Sequence, residues 1–204
     1  NVLETVFLLI KLNEIKDEWQ LLITLDAHSQ ADKEYSSAVK KLCHQMQLPV
    51  TIGFGYELIS PTMERTPALP YNLIDLFSIA DGIITTSTQE GFGMTYLEGW
   101  VTDTPVHARK IPFLYEDFKD HGLDFTHFYD NIMIDGKDFK DYSAEEQIEL
   151  IKQHATPDDT TSLRSVLDEI MSPDTARVQH NKAVIINNYS LDAYAKRIEE
   201  ILAD

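Results

Sequence analysis

The spacing of apolar residues changes repeatedly along the chain, and each spacing predicts an element. Val2, Val6, Leu9, Ile10 and Leu12 recur at three and four, which predicts an opening helix with Asn1 as its cap. Residues 19–25 form a continuous apolar run suited to a strand buried on both faces. A helix over 32–47 follows, with Tyr35, Val39, Leu42 and Met46 on one face and lysines opposite, then a short strand at 50–54. Three prolines between 55 and 70 predict a loop longer than most connections. A helix at 73–80 and a strand rich in β-branched residues at 82–87 come next. Met94 to Thr102 has helical spacing, and Pro105 to Ala108 reads as a strand. Beyond this lie a helix near 116–121, a strand at 132–134, and a helix opened by the capping box Ser143-Ala144-Glu145-Glu146. Helices at 161–171 and 173–187, and a last one capped by Ser190, complete the pattern. Strands alternating with helices predict an α/β fold, a Rossmann-like doubly wound parallel sheet with helices on both faces. The sequence shows no repeat and no sign of a second domain, so 1–204 reads as one domain.

The chemistry concentrates between Gln89 and Trp100. Glu90 and Glu98 are separated by seven residues, with Gly91-Phe92-Gly93 directly after the first. This order predicts Glu90 in the loop at the carboxyl end of a strand, and Glu98 one to two turns into the following helix. Ligands of open α/β sheets bind in the crevice outside those strand ends. The glycines allow a ligand to approach backbone N–H groups where the helix starts.

Ala80-Asp81-Gly82-Ile83-Ile84-Thr85-Thr86-Ser87, then Glu90-Gly91-Phe92-Gly93, then Leu97-Glu98, then Thr104-Pro105-Val106 resembles the donor-binding half of the retaining GT-B glycosyltransferases, family 4-like. The likeness is sharp from Leu73 to Val106 and looser on either side. It implies one half of a GT-B fold, the carboxyl-terminal domain that binds a nucleotide sugar. The intact enzyme would transfer a hexose from a nucleoside-diphosphate sugar to an acceptor with retention. By the same resemblance Glu90 contacts the donor sugar hydroxyls and is the catalytic-centre carboxylate, while Glu98 holds the ribose. Gly91, Phe92, Gly93 and Met94 would offer backbone N–H groups to sugar and distal phosphate, and Thr95 its hydroxyl. Arg109, followed by Lys110, would clamp phosphate or else brace a loop. The phosphate-binding Arg and Lys usual in the family lie upstream of the opening helix, and so before Asn1.

Composition narrows the alternatives. A formal charge of −17 argues against nucleic acid and against a polybasic membrane surface, leaving peripheral membrane contact open. One cysteine, Cys43, excludes a disulfide framework and points to a reducing, cytoplasmic setting; within its helix it reads as a packed thiol. No apolar run is long enough to span a bilayer. His28, His107, His121 and His127 lack metal-ligand spacing, so neither a metal nor a cofactor is expected beyond the donor itself. Gly53-Phe54-Gly55 lacks the third glycine and following helix of a dinucleotide fingerprint, and is kept as a loop near the nucleotide base.

A chain that opens at Asn1 already in a helical pattern predicts a domain cut from a longer protein, with an amino-terminal acceptor domain as its missing partner. Alone it is expected to bind donor weakly and transfer nothing. By the resemblance the helix of 190–204 would cross to the missing amino-terminal domain; its apolar stripe of Leu191, Tyr194, Ala195, Ile198, Ile201 and Leu202 predicts, without that partner, packing on its own domain or pairing into a homodimer. The rival readings are a non-catalytic nucleotide-sugar-binding or scaffolding domain, and a GT-B-fold epimerase or phosphorylase. Gly99-Trp100 and Asp103, where the family commonly has small residues and glycine, leave room for the former.

Overall fold

The computed structural model describes every residue except 25–29, 61, 63 and 204, and all described side chains except those of 30, 31, 56 and 200–203. In chain order the elements are α1 (Val2–Ile15), β1 (Leu21–Ile23), α2 (Gln30–Gln45), β2 (Val50–Ile52), α3 (Gly55–Leu58), α4 (Leu73–Ile79) and β3 (Ile83–Thr85). A 3-10 turn (Met94–Tyr96) leads to α5 (Glu98–Val101), β4 (Val106–Ala108) and α6 (Pro112–Asp120). Next come β5 (Met133–Ile134), β6 (Lys137–Asp138), a 3-10 turn (Phe139–Asp141) and α7 (Ala144–Lys152). The chain closes with α8 (Thr160–Met171), α9 (Thr175–Tyr189) and α10 (Leu191–Ala203).

Among the described residues the strands pair in twos: β1 with β2 and β3 with β4, both parallel, and β5 with β6 antiparallel. The architecture is α/β with short parallel pairs, compatible with a Rossmann-like fold. Two compact units carry these pairs. The first comprises Asn1–Leu76 with Asn131–Leu167, the second Phe77–Asp130 with Asp168–Asp204. No helix among the described residues is long and apolar enough to cross a membrane.

In the first unit α1 is buried around most of its circumference, with Leu3, Val6, Phe7, Leu8, Leu9, Ile10 and Leu12 all inside. Asn1 occupies the cap position without a side-chain cap hydrogen bond, and its Nδ2 donates to Glu4 Oε2 at 2.9 Å. The oxygen that receives the Leu3 N–H comes instead from Tyr35 on α2, at 2.9 Å. This replaces the expected local cap by a tertiary one. On α2, Val39, Leu42 and Cys43 are buried, and burial pushes the Cys43 thiol up from its ordinary pKa.

Strand β1 departs from expectation, since Leu22 is half exposed. In a pair of two strands the alternate residue turns to solvent, so burial on both faces does not hold here. The expected strand reaches into Leu25, which lies outside the described residues, as does His28. The one-turn helix α3 does follow Gly53-Phe54-Gly55, contrary to the sequence reading. Gly55 N–H donates to Thr24 O at 2.8 Å, and a Cβ there would stand 2.5 Å from that oxygen. The capping box forms as written: Ser143 Oγ accepts from Glu146 N–H and Glu146 Oε2 accepts from Ser143 N–H at 2.7 Å.

The core of the second unit gathers Tyr96, Leu97, Trp100, Val106, Ala108, Leu114, Phe118, Phe125 and Phe128 with Val178 and Ile185 of α9. Helix α10 packs against α9. Leu191, Tyr194, Ala195 and Ile198 of its stripe stay exposed, while the side chains of Ile201 and Leu202 lie outside the described set.

Candidate functional site

The site-bearing segment runs from β3 through the elbow to β4, wholly within the second unit. Strand β4 is buried throughout, whereas β3 is half-buried, less than its apolar sequence predicts. The single helix expected over 94–102 is broken in two. Gly93 adopts φ 67°, a left-handed conformation that suits glycine, and starts the 3-10 turn. A Cβ on Gly93 would lie 2.7 Å from the Phe118 ring, so the elbow sits directly on α6. Leu97, at φ −110°, ends that turn and caps α5. Glu98 is therefore the first residue of α5 rather than one lying one to two turns into a helix.

Glu90 is half-buried and its Oε1 accepts from Thr95 Oγ1 at 3.2 Å, so the structure brings these two predicted residues together. Gly91 has open space around the position of a Cβ. Phe92 and Met94 project into solvent, Phe92 at 88% exposure. No side chain caps the 3-10 turn, so its leading N–H groups are not taken by a cap. Glu98 is half-buried, and that burial raises its carboxyl pKa above the ordinary value.

Arg109 has a different setting. It is buried at 2% exposure, its Nη1 donates to the Asp130 carbonyl at 2.9 Å, and its guanidinium lies 5.5 Å from the Tyr129 ring centre. Its N–H donates to Thr85 O at 3.0 Å. Lys110 reaches the Asp130 carboxylate at 3.2 Å and lies over the Tyr115 ring.

Gly99, Trp100 and Asp103 each have a structural reason. At Gly99 a Cβ would lie 2.6 Å from both Ile83 Cδ1 and Val106 Cγ2, so only glycine lets α5 rest on β3 and β4. Trp100 fills the core, and its Nε1 donates to Tyr96 O at 2.8 Å. Asp103 adopts φ 62°, where glycine is favoured, and is held there by Lys182 at 2.6 Å and Gln179 at 2.9 Å on α9.

Sequence reading missed Tyr96. It is fully buried, its hydroxyl donates to the Arg109 carbonyl, and it accepts from Ile111 N–H at 3.1 Å. Burial first, and the Glu90 charge after it, push the phenol up to about 12, against the pull of the Ile111 bond and of Arg109. A phenol among apolar residues was the available signal, since a buried tyrosine needs a partner for its hydroxyl.

His107 and His127 stand edge to face, 5.6 Å apart. His127 Nε2 lies 2.7 Å from Val106 O, leaving Nδ1 unpaired, and His107 Nε2 is unpaired as well. Burial, then the neighbouring His127 and Arg177, bring His107 down to about 3. No group of three His, Cys, Asp or Glu among the described residues is placed to hold a metal ion.

The chain is similar to a mannosylglucosyl-3-phosphoglycerate synthase from Petrotoga mobilis, with 30% identity over 135 residues. The match covers 66% of this chain and 23% of the relative, so it spans about a quarter of that protein's length. No family model matches the chain, and no solved structure matches it.

Proposed function

We propose that this chain is the nucleotide-sugar-binding part of a glycosyltransferase. Similarity to a protein named as a synthase of a mannosylglucosyl compound supports sugar transfer. The finer reading is the carboxyl-terminal half of a GT-B enzyme that moves a hexose from a nucleoside-diphosphate sugar with retention. One observation carries it: Glu90, held by Thr95, stands at the carboxyl end of β3 beside a turn with no side-chain cap. A carboxylate there can accept two hydrogen bonds from vicinal sugar hydroxyls. The N–H groups of Gly91 to Thr95 are the natural donors to a departing diphosphate, which need no bound metal to stabilise negative charge. Glu98 takes the ribose in this reading, and Arg109 holds the end of β4 in place.

Thermal-shift screening against UDP-, GDP- and ADP-sugars identifies the donor. Calorimetry with that donor then compares wild type with Glu90→Gln and Glu98→Gln. Each substitution is expected to weaken binding by roughly 1.5–3 kcal/mol, the range for hydrogen bonds to charged groups. Silence across the whole panel, or unchanged affinity in Glu90→Gln, overturns the proposal.

A further inference from the structure

The geometry points to Tyr96 as a positioning residue that fixes the Glu90 elbow against the end of β4 through its buried hydroxyl. This rests on the donor-site reading above and adds to it the part that sets the site's spacing.

Tyr96 joins two segments that carry the chemistry. On the elbow side its N–H donates to Gly93 O at 2.9 Å and closes the 3-10 turn that follows the glycines. On the β4 side its hydroxyl donates to the Arg109 carbonyl and accepts from Ile111 N–H. The phenol therefore spends both its donor and its acceptor on the backbone that leaves β4, and it spans thirteen to fifteen residues of chain in doing so. Aromatic packing seats the ring, and the two hydroxyl bonds fix how far it stands from the end of β4. Phe125 and Phe128 meet the ring edge to face at 5.8 and 5.1 Å, and Trp100 Nε1 holds the Tyr96 carbonyl.

The backbone it grips is fixed from other sides too. Arg109 N–H donates to Thr85 O on β3, and Lys110 N–H donates to Tyr129 O at 2.8 Å. One end of the link is thus rigid, and the movable end is the elbow, which carries Glu90 six residues before Tyr96. Removing the hydroxyl leaves the ring seated but frees the turn to shift by the small amounts to which binding sites are sensitive.

A merely structural role predicts lower stability with normal donor affinity in the folded protein, whereas a positioning role predicts coupling to Glu90. The test is a double-mutant cycle in donor affinity over wild type, Tyr96→Phe, Glu90→Gln and the double variant. The probe is whichever of UDP-glucose, GDP-glucose, GDP-mannose and ADP-glucose most raises the wild-type melting temperature. Calorimetric stoichiometry reports the folded fraction of each sample. Tyr96→Phe is expected to weaken donor binding roughly tenfold, a change that shrinks to less than about threefold in the Glu90→Gln background. Additive losses, or an unchanged affinity beside a lowered melting temperature, overturn the proposal. Should Tyr96→Phe fail to fold, 3-fluorotyrosine at this position keeps the ring and hydroxyl while altering the strength of both bonds. A donor-affinity change that disappears with Glu90→Gln supports positioning, and one indifferent to Glu90 sinks it. If Glu90→Gln by itself leaves affinity intact, the donor-site reading fails first; if only Tyr96→Phe is silent, this inference alone fails.

Discussion

The two parallel strand pairs are joined by crossovers of opposite character. Between β1 and β2 runs α2, a helix of 16 residues with Val39, Leu42 and Cys43 inside and charged residues outside. Between β3 and β4 run a glycine elbow, one 3-10 turn and α5, a helix of four residues. A long helix satisfies its own backbone and presents one continuous face, so it has little left with which to hold a ligand. A broken crossover leaves N–H groups and carboxylates available, but something else must fix its shape. In the second unit that work falls to Tyr96, Trp100, Gly99 and the Asp103–Lys182 pair.

If side-chain contacts rather than helix length hold the second crossover, removing the largest of them should undo it. Trp100→Ala takes away a fully buried indole and its bond to Tyr96 O, and should cost about 3–5 kcal/mol in chemical denaturation. A loss below ~1 kcal/mol would mean that the segment holds its shape without that core residue.

Glycine substitutions sharpen the comparison at the next level. Gly99→Val forces a side chain against Ile83 and Val106 and should destabilise by about 1–3 kcal/mol. Gly91→Ala meets nothing and should stay within about 0.5 kcal/mol of wild type. Equal melting temperatures for the two variants would show that α5 does not need its close seat on the strands.

The smallest expected effect, taken over the first pH unit below 6.5, concerns acid. The described histidines of the first unit, His44 and His154, are exposed, whereas the second buries His107 and His127. Burial lowers the folded pKa of His107 from 6.5 to about 3, so the unfolded chain takes up the proton first. Stability from the neutral ring is complete above 6.5 and falls as the pH drops towards about 3, by ~1 kcal/mol over the first pH unit. His107→Gln should flatten that slope in urea titrations, and an unaltered slope would remove His107 as its source.

What the sequence made legible was local. The capping box at Ser143 and the Ser190 cap of α10, whose Oγ accepts Ala193 N–H at 3.1 Å, depend on residues three apart and could be read directly. The strand–elbow–carboxylate order was legible for the same reason, whereas the bond from Thr95 to Glu90 was not, since the sequence offers the Thr95 hydroxyl to a phosphate. The break at Leu97 was not, because Met94, Leu97 and Val101 keep helical spacing straight through a 3-10 turn. Contacts across long stretches of chain were equally hidden. Tyr35 caps α1 from 32 residues away, and Arg109 is drawn inside by a carbonyl 21 residues on. Spacing reports which face is apolar, but it does not report which distant group will satisfy a backbone N–H or bury a guanidinium.

Cys43 offers an unplanned use. It is the chain's one cysteine, it is shut inside α2, and its thiol is held in the unreactive protonated form by burial. A thiol reagent can reach it only when that helix opens, so the labelling half-time in native buffer becomes a clock for the first unit alone. Run with and without a sugar nucleotide, the same clock would tell whether a ligand held by the other unit is felt at α2, with no probe added to the protein.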